Sequence, residues 1–408
     1  MKLKHLVATA IVAAAATAGG AQAQQWTDGV IKIGVLTDMG SLYADLTGIG
    51  SVIAARMAVE DYGAAKKGLK VEIVAADHQN KPDVGASITK KWIDDDKVDA
   101  IADVPTSSVA LAVNEIVREK NKVFLVSGGA TSDLTGPKCS PNTVQWTYDT
   151  WALANGTGKA IVATGGDTWF FITADYAFGH ALERDTAAVV EANQGKVLGR
   201  VRAPLGTQDF SSFLLQAQAS KAKIIGLANA GGDTNNAIKQ AAEFGIVKGG
   251  QKLAGLLVVL PQVKAIGLPL AQGLIYTEAW YWDLNDDNRK FAARYSAQHP
   301  KKLYPTMVHA GVYASVIHYL KALEALKSDA DGKAIVAKMK ELPTEDPLFG
   351  KGTIRADGRK LHPMYLLEVK TPAESKGEWD LAKIRATIPA DQAFRPLDQG
   401  NCPLVAKK

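Results

Sequence analysis

Cysteine, aromatic side chains and runs of like charge are all scarce in this chain, and each scarcity removes a class of answer. Only Cys139 and Cys402 occur among 408 residues, so there is no C-x-x-C motif and no disulfide-dense scaffold. Basic residues are scattered, with no block of five, which argues against a nucleic-acid stripe or a membrane-binding tract. Beyond the first residues no stretch approaches the roughly 18 apolar residues of a membrane-spanning helix. H-E-x-x-H, G-x-S-x-G and the P-loop are missing too. Gly48-Ile49-Gly50 is a fragment of a dinucleotide fingerprint, but Ile53 stands where the third glycine belongs. The histidines His78, His180, His299, His309, His318 and His362 show no metal-ligand spacing. Asp38, Asp77, Asp103 and Asp175 follow strands, yet in separate loops, so no acid/base pair is identified. Neither metal nor cofactor is expected, nor is an enzyme.

What is present begins with a leader. "MKLKH", the apolar run "LVATAIVAAAATA" and Ala21-Gln22-Ala23 have the order of a cleavable secretory signal over residues 1–23. The mature chain is expected to start at Gln24 and to reside in the periplasm. Loss of Lys2 and Lys4 takes the formal charge from +5 to +3. In an oxidising compartment, Cys139 in "GPKCSPN" and Cys402 in "QGNCPLV" most simply form one disulfide, two free thiols being the alternative.

A mature chain of about 385 residues suggests two domains. "VIKIGVLTD", "KVEIVAAD", "VDAIADVP" and "KVFLVSGG" read as strands alternating with helices, the first of them over 47–62 with Ile49, Ile53 and Met57 toward one face. The pattern pauses over 132–150. It restarts with strands "TWFFITAD", "KVLGRVRAP", "AKIIGLANA" and "KLAGLLVVL" and helices near 177–193, 209–220 and 234–245. Two α/β lobes with open, doubly wound parallel sheets follow. "GLIYTEAW" is one more strand, and the helices 286–298, 306–327 and 332–342 are expected to return to the first lobe. The division is lobe 1 over 24–147 and 276–365, lobe 2 over 148–275 and 366–390, and a tail over 391–408.

Ligands of open α/β sheets bind at the carboxyl ends of strands. There this chain offers Thr106-Ser107-Ser108 and Ser127-Gly128-Gly129-Ala130-Thr131. The first set lies at a helix start and can hold a carboxylate, or serve simply as the helix cap. In "TEAWYWDLND" at least one of Trp280, Tyr281 and Trp282 should face the cleft, the alternative being that all three pack inside. His309 either packs or touches the cleft.

The segments "IKIGVLTDMGSLYADLTGIG", "VPTSSVALAV", "VSGGATSDLTG", "TADYAFGHAL" and "GLIYTEAWYWDLND" together resemble the periplasmic substrate-binding proteins of branched-chain amino-acid-type ABC transporters, over nearly the whole mature chain. The resemblance implies a type I fold that closes on its ligand about a hinge. It also implies delivery to an inner-membrane permease with ATPase subunits. A monomer that binds no nucleic acid is expected. It carries ligand contacts onto Tyr43 and Ala44, Thr106 and Ser107, Gly128 to Thr131, and Tyr176 or Phe178. Where the amino-acid binders place an acid for the ligand's ammonium, this chain reads "AGLLVVLPQV", and another aromatic of theirs falls near Asn229-Ala230-Gly231. An unpaired buried ammonium costs several kcal/mol, which argues against an α-amino acid. Tyr43, Tyr148, Trp151, Tyr176 and Trp280 or Trp282 can instead enclose a ring. A benzoate-like or phenylpropenoid acid is the expected ligand. A branched-chain amino or keto acid is the alternative, as is a sensor that presents its ligand to a membrane receptor.

Overall fold

The computed structural model describes residues 26–406. The expected leader, its expected cleavage site and the last two lysines lie outside the described residues. In the first lobe β1 (Ile31–Thr37), β2 (Val71–Asp77), β3 (Ala100–Asp103), β4 (Val123–Val126) and β5 (Thr143–Gln145) form a parallel sheet of order β2-β1-β3-β4-β5. Every residue of β3 and β4 is buried, as expected of strands covered by helices on both faces. β5 falls inside the stretch that reads as irregular. Three residues are too short for a periodic signal, and the strand exists because β4 offers it an open edge.

The helix Gly48–Tyr62 buries Ile53 and Met57, whereas Ile49, expected on the same face, is 38% exposed. Most other positions of the first three turns are buried because the long helix Met307–Leu326 lies along it. The later helices make contact with elements of this sheet's lobe. Arg294 of the helix Asp286–Gln298 pairs with Asp61 at 2.7 Å, and the N–H of Gly332, which opens the helix Gly332–Glu341, donates to the Asn121 carbonyl at 3.0 Å.

The second lobe holds β6 (Thr168–Ala174), β7 (Lys196–Ala203), β8 (Ile224–Ala228) and β9 (Lys252–Gly255), parallel and in the order β7-β6-β8-β9. β9 stops well short of the apolar run that suggests it. Leu260 already starts a helix with Pro261 in its first turn, a position proline favours, and the four residues between form a loop. β10 (Ile275–Glu278) leaves this sheet. After a small antiparallel sheet of β11 (Thr344–Asp346), β12 (Gly350–Ile354) and β13 (Lys360–Leu361), β10 pairs antiparallel with β14 (Met364–Val369), which pairs with β15 (Ala382–Ile388).

The segments that run between the lobes are tied to one another. His362 Nε2 contacts the Thr147 carbonyl at 2.7 Å, and the buried Arg359 donates to the Tyr148 carbonyl at 2.9 Å while lying 3.6 Å from the Asp149 carboxylate. Thr157 and Thr277 share a hydroxyl hydrogen bond of 2.8 Å. Cys139 and Cys402 form a disulfide with Cα atoms 5.6 Å apart. Arg395 adds a hydrogen bond of 2.9 Å to the Ser132 carbonyl, so the C-terminal segment is held to a loop of the first lobe.

Candidate functional site: the cleft between the lobes

The first wall is built by the loop after β1. The Asp38 carboxylate accepts from the N–H groups of Ser41 (2.9 Å) and Tyr43 (2.8 Å) and from Asn80 Nδ2 (2.8 Å). Burial raises its pKa, but these donors outweigh that and hold it below the usual carboxylate range. The loop is thereby fixed with the Tyr43 ring turned inward. Asn80 in turn accepts the hydroxyl proton of Thr106. This commits Thr106 sideways: it stands at the N-cap of the helix Ser107–Glu119, yet its side chain makes no cap hydrogen bond. Among the described residues the first N–H groups of that helix are therefore left without a side-chain acceptor, the arrangement that receives an anion.

The corner that delivers this turn is strained. Asp103 has φ +77° and Val104 φ +55°, the latter a value that a β-branched residue rarely adopts. Burial pushes the Asp103 carboxyl up to about 7, only partly offset by the nearby Ser51 and Thr37 hydroxyls, and Thr37 already donates to Thr47. Beside it, a Cβ on Gly128 would fall 2.7 Å from both Asp103 Oδ1 and Pro105 Cα, so only glycine allows this approach. The Gly128 carbonyl accepts from Tyr148 Oη at 2.9 Å, and Ser107 Oγ accepts from the Thr131 N–H at 3.2 Å.

The second lobe supplies Tyr176, at the N-cap of the helix Ala177–Ala192, with Phe178 beside it at 5.9 Å between ring centroids. Tyr176 Oη lies 2.5 Å from Tyr43 Oη, and the Gly232 N–H donates to the Leu42 carbonyl at 3.3 Å, so the lobes touch across the cleft. Burial raises the pKa of Tyr43 and of Tyr176, which keeps both phenols neutral. Asp233, in the first turn of the helix Gly231–Glu243, is buried. It accepts from the Gly206 N–H at 3.1 Å through one oxygen, while the other, Oδ1, has no partner among the described residues. Burial pushes this carboxyl up to about 6.

Tyr43, Ala130, Tyr148 and Tyr176 thus come together around one small space, with Leu46, Pro105, Phe178, Ala230 and Leu257. Its free volume is about 10 Å³, room for about a single water, so a larger ligand enters only when the lobes part. Thr106, Ser107, Gly128 and Thr131 do not line it: Thr106 and Thr131 follow the lining residues Pro105 and Ala130, Gly128 accepts from the lining Tyr148, and Ser107 is bonded to Thr131. Asn229 adjoins it, but its side chain turns away and accepts from the Thr234 hydroxyl at 2.7 Å. Ala44 and Trp151 are half-buried and do not line it.

The expected ring from the 280–282 run is not in this wall. Trp280 is 1% exposed and packs edge-on against Phe291 at 5.9 Å. Tyr281 turns the opposite way and donates to the Ala382 carbonyl at 3.3 Å. Trp282 donates to the Trp379 carbonyl at 3.1 Å and packs against Tyr304. The strand ends at Glu278, short of the rings, and each finds a packing partner. His309 is a packing residue as well. Its Nδ1 accepts from the Thr306 N–H (2.9 Å), so Nε2 carries the proton toward the Thr47 carbonyl (2.8 Å). Leu46, Pro105 and Leu257 were not legible as site residues. The one available signal was the surplus of apolar residues in "AGLLVVL" beyond what a strand of this sheet uses.

Two open α/β lobes that meet over a ring-lined space, with strand carboxyl ends on both sides, define a two-lobed binder that encloses a small solute. The chain belongs to the periplasmic binding protein family, whose model matches residues 30–378. It is 50% identical to a periplasmic binding protein of Burkholderia mallei, over 92% of this chain and 99% of that one, with a TM-score of 0.89. A branched-chain amino acid ABC transporter periplasmic ligand-binding protein of Burkholderia xenovorans is 38% identical over 92% of this chain and 99% of its own, TM-score 0.81. An ABC transporter solute-binding protein of Rhodopseudomonas palustris, solved in complex with 4-hydroxybenzoate, is 25% identical over 88% of this chain and 97% of its own, TM-score 0.80. By this family the protein is a periplasmic-type solute-binding protein. No helix among the described residues is long and apolar enough to cross a membrane.

Proposed function

We propose that the protein captures a small aromatic carboxylate, benzoate-like or phenylpropenoid, by hinge closure in the periplasm and releases it unchanged to the permease. The observation that carries this reading is the lining: three tyrosines and a phenylalanine with aliphatic side chains, and no ionised group among them. Such walls favour a flat ring. The uncapped helix start at Ser107 is the natural receiver of the carboxylate. The relative bound to 4-hydroxybenzoate supports the same class. In this reading the protein is a monomer that binds no nucleic acid and performs no chemistry, and the lobes divide as 24–147 with 276–365 and 148–275 with 366–390.

A second reading, a branched-chain amino acid, is favoured by Asp233. Its unpartnered oxygen lies in the second lobe near enough for its charge to act on Tyr43 and Tyr176. Calorimetric titration of the purified mature protein with benzoate, 4-hydroxybenzoate, 4-coumarate, leucine and valine separates the two. Binding of the aromatic acids alone is expected. Binding of leucine or valine alone, lost in Asp233→Asn, would replace this reading with the second.

A further inference from the structure

At the opposite end of the second lobe, by the amino ends of β6, β8 and β9, lies a cavity of about 440 Å³. Its origin is topological. The parallel sheet ends at β9, and β10, which would be the next strand, turns to pair with β14 instead. The two strands part, and a wedge opens between them. Ile161, Ile224, Ile238 and Leu274, each at most 8% exposed, form its walls with Leu253 and Ile275. At the mouth stand Val247 and Leu270, 52% and 48% exposed, with Lys223 and Lys252. Lys223 is held by Asp167 at 2.9 Å, whereas Lys252 has no acidic partner among the described residues.

We propose that this cavity is a second ligand site, separate from the cleft, for a small amphipathic anion whose hydrocarbon body fills the wedge and whose head group sits at Lys252. The volume lies within the roughly 300–1,000 Å³ of small-molecule sites. The walls converge from three strands and the adjoining helices, so the shape is concave, unlike the flat face that receives another protein. An apolar body alone would leave the lysines unused, and a cation would meet them at the mouth. Val247 and Leu270 are large apolar side chains left half open at the rim, which a seated hydrocarbon would cover.

The probe is decanoate, titrated calorimetrically into the full mature protein with and without saturating 4-hydroxybenzoate. One decanoate per chain is expected, with the same affinity in both conditions. Leu270→Glu, at an exposed position that folding does not depend on, sets a carboxylate in the mouth and should weaken decanoate about tenfold. Ile275→Trp, filling the wedge, should do likewise. Lys252→Gln should weaken decanoate about threefold and leave decanol unaffected. Absence of saturable binding would overturn the proposal, as would unchanged affinity in both Leu270→Glu and Ile275→Trp, or displacement of decanoate by 4-hydroxybenzoate. A concentration-dependent dimer in sedimentation that Leu270→Glu abolishes would assign the cavity to a second copy of the chain and overturn it too.

Discussion

Tyr43 and Tyr176 place their hydroxyls 2.5 Å apart, one from each lobe, across the cleft. Closure therefore has its own hydrogen bond, made between the walls themselves. A neutral hydrogen bond contributes about 0.5–1.5 kcal/mol net, a factor of roughly 2 to 12 in a two-state equilibrium. Tyr176→Phe removes it while keeping the ring. In small-angle scattering without ligand, the variant should show a larger radius of gyration than the wild type. An unchanged radius would mean that the contact does not hold the lobes.

Gly231 tests closure from the other side. Its φ is +60°, and a Cβ there would fall 2.3 Å from the Leu42 carbonyl oxygen of the opposite lobe. Gly231→Ala should cost about 1 kcal/mol of stability through backbone strain. Its larger effect should be on ligand affinity, weakened by at least about tenfold because full closure is blocked. Calorimetry with 4-hydroxybenzoate and a melting curve measure the two effects separately.

Asp103 gives a pH signature. Burial raises its carboxyl from an ordinary 3.8 to about 7, so the folded protein binds a proton that the unfolded chain releases between these values. Its contribution to stability is complete below about pH 4 and is lost as pH rises through about 7. Asp103→Asn cannot ionise. Relative to the wild type, the variant should gain stability from pH 4 to pH 7, with a slope no steeper than about 1.4 kcal/mol per unit. Chemical denaturation across this range checks it, and a constant difference would show that Asp103 ionises as it does in the unfolded chain.

The disulfide closes a sequence separation of 263 residues. Chain-entropy arguments set its contribution at up to about 5 kcal/mol. Cys402→Ser should lower the melting midpoint and make the chain after Arg395 susceptible to protease, with ligand affinity unchanged. Limited proteolysis followed by mass spectrometry reads both the cleavage sites and, in the wild type, the bridged peptide.

The alternation of apolar strands and periodic helices made both sheets legible, because each strand of a covered parallel sheet must be apolar and each helix must show it one face. β5 and the strands after Glu341 were not, being short or antiparallel and set by the edges available to them. At the site, Tyr43, Ala130 and Tyr176 followed from strand ends and from resemblance. Leu46 and Pro105 did not, since a loop's inward residue is chosen by hydrogen bonds such as those of Asp38, which leave no period in the sequence. The three rings at 280–282 show the opposite error. Conspicuous residues beside a cleft were claimed by Phe291, Ala382 and Tyr304.

The chain of contacts from Asp38 through Asn80 to Thr106 makes the first-lobe half of the site a finished surface before the second lobe arrives. A solute can settle on that surface at a rate governed by diffusion and orientation, nearly indifferent to its substituents. Discrimination then falls on the reopening step, where Tyr176, Phe178, Ala230 and Leu257 must let go. Related acids should share an association rate and differ in residence time, which is how long the lobes stay shut.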